Sequence, residues 1–228
     1  MNLSKNLQES FDLYFKNINT LLLTGLVATS LAVVSLGILA GPIFAGFMIL
    51  CIKVRNGEQG DLNDIFTQFN NFGSLFLVWF LPALATFVVF IIISTIEGVL
   101  FLHNLFTLGV IVFFYRYLIE IINGIILSAI YAIPLVISGF ATLLIINKKI
   151  EFMDALKQAY EAIQSNLVGY WLYGFVLAFL MCGIHHFIPY IGLIIPLFSI
   201  PIAIIGIITA YLQLPKSTTT PSGPSASA

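Results

Sequence analysis

The chain has 228 residues, of which 60% are hydrophobic and 8% charged, and its formal net charge is −1. A soluble domain carries about a quarter charged residues, so a water-soluble fold is excluded. The near-neutral balance gives a nucleic acid no basic surface to bind. What remains is an all-α polytopic transmembrane helical bundle, because apolar runs of the ~20 residues that a ~30 Å hydrocarbon core requires recur along the chain.

Residues 2–17 put Leu3, Leu7, Phe11, Tyr14, Phe15 and Ile18 on one helical face, with Lys5, Gln8, Glu9, Asp12 and Lys16 on the other. This spacing predicts an interfacial amphipathic helix. The long apolar run behind it argues against a cleaved signal peptide. Residues 18–54 are almost wholly apolar. As one helix they would reach ~55 Å, nearly twice the hydrocarbon thickness. Proline lacks an amide donor and disfavours helix in the residue before it, so the break is expected at Gly41-Pro42. The first two spans are then 18–39 and 42–55.

After a polar turn at 56–60, Asp61 is a good N-cap for a second amphipathic stripe of Leu62, Ile65, Phe66, Phe69 and Phe72. On that helix Asp61 and Asp64 read as cap and solvated face. A third span is expected at 74–96, with a kink at Pro82, and a fourth at 121–146, containing Pro134. Between them, 98–120 is apolar but carries His103, Arg116 and Glu120. A third amphipathic helix at 150–165 sets Phe152, Ala155, Leu156, Ala159 and Ile163 against Asp154, Lys157, Gln158 and Glu161. Spans five and six follow at 167–184 and 191–213, separated by a turn containing His185 and His186. The tail 215–228 is small, polar and proline-rich, and is expected to be disordered.

Basic residues decide the disputed segment. With six spans Lys5, Lys16, Lys53, Arg55, Lys148, Lys149, Lys157 and Lys216 share one side, and only Arg116 faces the other. With seven the split is five against four. The positive-inside rule selects six spans, both termini cytoplasmic, in the cytoplasmic (inner) membrane. Residues 98–120 then form an outer re-entrant or surface-lying segment, or a bent extension of the fourth span. Three times an amphipathic stretch leads through an asparagine (Asn17, Asn71, Asn166) into a hairpin. This grammar suggests an internal repeat with three amphipathic cytoplasmic surface helices as a collar.

Candidate polar chemistry gathers on the outer side: Glu97, His103, Arg116, Glu120, His185 and His186. Ionisable residues near the membrane interior mark sites by default, although Arg116 and Glu120 also have the spacing of a helical ion pair. Adjacent His185 and His186 point about 100° apart on a helix and would need a third ligand from His103, Glu97 or Glu120 to hold a metal. Cys51 and Cys182 lack metal-type spacing and read as packed free thiols. Thr24, Ser30, Ser35, Asn123 and Ser128 offer polar glue between helices. The aromatics Tyr14, Phe15, Trp79, Tyr115, Tyr117, Tyr170, Trp171 and Tyr190 read as interfacial belts.

Three stretches carry a family resemblance. The first joins Gly41, Pro42 and Gly46 to Lys53, Arg55 and Glu58, then Asp64, Phe66 and Phe69. The second is Phe152, Ala155, Leu156 and Lys157 with Asn166, and the third runs from Gly192 through Pro196 and Pro201 to Tyr211 and Leu212. In these the chain resembles the prokaryotic six-span family of unknown function related to the membrane domain of glycerophosphoryl diester phosphodiesterase. The resemblance implies six helices and cytoplasmic amphipathic connectors. The phosphodiesterase chemistry of those relatives lies in a separate soluble domain, and only a short tail follows Tyr211, so that activity is not carried over.

No nucleophile motif, phosphate loop or supported carboxylate pair occurs, so neither catalysis nor a cofactor is expected. The leading expectation is a scaffold or accessory membrane protein in contact with membrane lipids, partner subunits or further copies of itself. The alternatives are a small transporter or channel with a polar site near 97–120, and a metal-dependent enzyme centred on His185 and His186.

Overall fold

The computed structural model describes residues 3–108, 111–183 and 195–214, with backbone alone at 97–117, 182–183 and 195–197. Eight α-helices organise the described residues: α1 (Leu3–Lys16), α2 (Ile18–Val34), α3 (Ala40–Arg55), α4 (Phe72–Leu108), α5 (Ile111–Lys148), α6 (Phe152–Gln164), α7 (Leu167–Ala178) and α8 (Ile195–Leu212). Two 3₁₀ segments, Leu62–Phe66 and Phe69–Asn71, precede α4, and a π-helical turn, Phe179–Gly183, extends α7.

Two stretches among the described residues, Leu62–Ile96 and Leu118–Lys148, are long and apolar enough to cross a bilayer. The number rises to four if the bent pairs α1–α2 (98°) and α6–α7 (110°) each count as one span. The chain is therefore a helical protein with membrane-spanning segments. α5 is the central helix and packs against α4, α6, α7 and α8. In α4 the most apolar window is only 11% buried, against 61% in α5, so α4 stands at the periphery. Its exposed Leu77, Phe80, Leu81, Leu84, Phe87, Val88, Phe90, Ile91, Ile92 and Ile96 form a band. At 1.5 Å per residue the described part of that band is ~28 Å long, enough to face most of a ~30 Å hydrocarbon core.

Several sequence expectations change. The break in the first apolar run lies at 35–39, ahead of Gly41-Pro42. Leu36 and Gly37 turn the chain with φ of 52° and 83°. Pro42 sits in the first turn of α3, where no intrahelical donor is needed. Gly41 serves close packing: a Cβ there would overlap the Leu75 carbonyl. The second amphipathic stretch forms two 3₁₀ turns, so the second of the three expected surface helices is not a continuous α-helix. Asp61 does cap it, with a reciprocal box to Asp64. Asp64 is buried, however, and its pull toward Lys53 together with the Thr67 hydroxyl bond to its carbonyl (2.7 Å) competes with continued α-helix. Residues 98–108 continue α4 and 111–120 open α5; of the expected alternatives, extension of the fourth span describes 111–120, while 98–108 extend the third. No proline interrupts the stretch, and Gly98 is carried inside α4. The expected turn at His185 and His186, and the tail 215–228, lie outside the described residues.

Pro82 stays inside a continuous α4. It supplies no N–H for the Val78 carbonyl four residues earlier. Ser138 of α5 replaces that donor, with its hydroxyl 2.9 Å from Val78 O. One turn along, the Trp79 indole donates to Thr142 Oγ1 at 3.0 Å, and Thr142 donates to Ser138 O at 2.8 Å. Trp79 is thus a buried bridge between α4 and α5, and not a belt residue. Tyr14 and Tyr170 are buried as well. Across the bundle, Tyr173 donates to Gly206 O at 2.7 Å, joining α7 to α8. Thr24 and Ser128, expected as interhelical glue, bond back to their own helices.

α1 uses its faces differently from the expected two-sided scheme. The stripe buried against the bundle is Asn6, Ser10 and Tyr14, and Ser10 reaches Thr209 of α8 at 3.4 Å. Phe15 remains 59% exposed beside Phe11. The docking stripe is therefore polar at its centre, with Leu3, Leu7 and Leu13 packed against the core beside it and Phe15 left outward.

Candidate functional site

An open cavity of about 880 Å³ lies between helices among the described residues. It lies in the upper part of the range for small-molecule sites. The turn into α3 supplies its floor through Leu36, Gly37, Ala40 and Phe44. One wall is α4, with Trp79, Phe80, Ala83, Leu84, Thr86, Phe87, Phe90 and Ser94. The facing wall is α5, with Glu120, Asn123, Gly124, Leu127, Ser128 and Tyr131, and Ala178 and Met181 close the end by α7.

The lining follows from helical periodicity. On α5, Glu120, Asn123/Gly124, Leu127/Ser128 and Tyr131 recur every three or four residues and share one face. Gly124 and Ser128 are small, which leaves room between α5 and α4. On α4 the rings of Phe72, Phe76 and Phe80 stack in series at 5.9 and 4.7 Å, and Phe80, Phe87 and Phe90 line the cavity. Polar groups are few. The Ser128 hydroxyl is spent on Gly124 O at 2.6 Å and that of Thr86 on Pro82 O at 2.9 Å. Glu120, Asn123 and Tyr131 each engage other groups, and they supply the strongest polar character of the lining. The arrangement suits a molecule with a hydrocarbon body and one polar end.

Of the residues expected to form a polar site, Glu120 lines this cavity. Glu97 and His103 lie on α4 and Arg116 on α5, with backbone alone described. His185 and His186 lie outside the described residues. No group of three metal-ligating side chains occurs among the described residues. Cys51 is fully buried in α3, as expected of a packed thiol. The cavity itself was not foreseen. Its sequence signal is the coincidence of small residues at Ala83, Gly124 and Ser128, which becomes meaningful only once α4 and α5 are paired.

A separate ionic cluster ties α3 to its neighbours. Lys53 Nζ meets Asp64 Oδ1 at 2.6 Å, Arg55 meets Glu9 at 3.8 Å, and Lys5 meets Glu9 at 3.9 Å. The Asp61 amide donates to Asp64 Oδ2 at 3.0 Å. Burial by itself raises the Asp64 pKa, but the Lys53 hydrogen bond, the Asp61 amide and the Lys53 charge outweigh it, so the carboxyl is held below its ordinary range. Lys53 and Arg55 also sit at the negative end of the α3 dipole. This cluster fixes the segment 56–71 against α3; it is distant in sequence from the cavity residues and reads as structural.

No protein-family model, curated protein or solved structure matches this chain.

Proposed function

We propose that this protein acts without catalysis in the cytoplasmic membrane, as a scaffold or accessory subunit that holds lipid. The observation that carries the reading is the open apolar cavity beside the exposed band of α4. Hydrocarbon is the natural occupant of such a space, since neither water nor a polar solute gains there. Three helical hairpins, α2–α3, α4–α5 and α7–α8, enter from the cytoplasmic face, where both termini lie. The right-angle bends into α2 and α7 support α1 and α6 as helices along the membrane surface. The basic residues of α1, α3 and α6, with Lys148 at the end of α5, fit a cytoplasmic collar, and Arg116 at the start of α5 falls on the other side.

The test is lipid retention. Protein extracted with its surrounding bilayer in polymer-bounded discs, then stripped to a detergent micelle, should keep a tightly held lipid by native mass spectrometry. Filling the cavity with Ala83→Trp or Leu127→Trp should release it while the fold is kept. Equal lipid content in filled and wild-type protein would defeat the reading.

A second reading, transport of an amphipathic solute, is favoured by Glu120 and Asn123 on the cavity wall. Flux into proteoliposomes that vanishes in Glu120→Gln would support it over a holding role.

A further inference from the structure

The α2–α3 hairpin is short, and its contacts measure how short. Gly41, at the start of α3, packs against the Leu75 backbone, three residues into α4. Beyond that contact the hairpin has only the five residues back to Leu36 at its tip. Even fully extended these reach ~17 Å. From Leu75 the helix α4 climbs ~32 Å to Ile96, the end of its exposed apolar band. Measured along the α4 axis, the tip therefore stops at least ~15 Å short of Ile96. It also lines the same cavity as Phe80, Phe87 and Phe90, which lie within the band.

The chemistry of the tip agrees with this depth. Val33, Val34, Leu36 and Ile38 are 66%, 81%, 90% and 52% exposed. A turn facing water favours Gly, Asn, Asp or Ser at such positions. Here the polar side chain, Ser35, is turned inward. Its hydroxyl donates to Ala32 O at 3.0 Å and accepts the Leu39 amide at 3.1 Å. The amides of Ser35, Leu36, Gly37, Ile38 and Ala40 donate to Leu31, Val33, Ala32, Ser35 and Gly37 carbonyls. Every N–H from 35 to 40 is thus bonded within the turn. Non-helical backbone survives at membrane depth when its polar groups are bonded or it borders a cavity, and this turn meets both conditions.

We propose that α2–α3 is a re-entrant hairpin whose tip, 33–39, ends inside the bilayer and is solvated by lipid acyl chains. The charge pattern fits equally well, because Lys16 and Lys53 share a side whether the hairpin crosses or turns back. The cavity then has a cause: it occupies the space above a hairpin that stops short. The inference rests on the membrane reading above; a protein absent from the membrane fraction would end both.

The experiment places single cysteines at Leu36→Cys and, separately, Val34→Cys, in a Cys51→Ala, Cys182→Ala background. A membrane-impermeant maleimide should label neither position in intact cells or inverted vesicles. After purification, an environment-sensitive fluorophore on either cysteine should be quenched several-fold by lipids brominated deep in the acyl chain. Labelling from outside in intact cells would show a completed crossing and overturn the proposal while leaving the membrane reading intact. A fluorophore shielded from brominated lipid would show a tip covered by protein, which also overturns it.

Discussion

Ser138→Ala isolates one contact on which the α4–α5 pair depends. Pro82 deprives the buried Val78 carbonyl of its own helical donor, and the Ser138 hydroxyl stands in at 2.9 Å. A buried polar group left without a partner costs ~1–3 kcal/mol, whereas hydrogen bonds between membrane helices measure ~0.6 kcal/mol on average and ~1.7 at most. The low average arises because freed groups find other partners. Val78 O has no local alternative while proline occupies position 82, so a loss of about 1–2 kcal/mol is expected. With Pro82→Ala in place the helix restores its own donor, and Ser138→Ala should then cost less than about 0.5 kcal/mol. Reversible unfolding in mixed micelles titrated with SDS, followed by tryptophan fluorescence, gives the four corners of this cycle. An equal cost of Ser138→Ala in both backgrounds would refute the proline-compensation argument, however unstable the single variant proved.

Four further outcomes follow from other contacts. Gly41→Ala should destabilise the fold by about 1–3 kcal/mol in the same assay, because the new methyl meets Leu75 backbone that cannot rotate away. Gly73→Ala, two residues before Leu75 on α4 and facing open space, should be neutral or mildly stabilising. Thr142→Val removes the acceptor of the buried Trp79 indole and should cost about 1 kcal/mol, most of it recovered when Trp79→Phe removes the donor too. Asp64 has a folded pKa below its unfolded value, so its contribution is present above the ordinary carboxylate pKa of about 4 and is lost as pH falls through the folded value. Stability profiles should therefore show an acid limb below about pH 4 that is shallower in Asp64→Asn.

The membrane class and most helix positions were legible because they depend on local quantities: the length of apolar runs and the placement of nine basic residues. Asp61 was legible as a cap for the same reason. What failed depended on partners distant in sequence. Asp64 looked solvated until Lys53 was brought beside it. Trp79 looked interfacial until Thr142 supplied its acceptor. The turn at 35–39 was missed because Leu36 adopts a left-handed conformation that its side chain does not advertise, while Pro42 mimicked a breaker from within the first turn of a helix. Glu120 stood out as an ionisable residue, yet the cavity around it needs the pairing of α4 with α5.

The length of α4 has a consequence for the surrounding bilayer. Its 37 residues extend ~55 Å. Lying wholly within ~30 Å of hydrocarbon would demand a tilt near ~57°, beyond the roughly 0–40° that membrane helices adopt. At ~40° the helix still rises ~42 Å, so about 12 Å of it outreaches an average bilayer. Long-chain lipids cover more of that surplus than short-chain ones. On the membrane reading proposed above, the far end of α4, which carries His103 and Asn104, is then the part that outreaches an average bilayer.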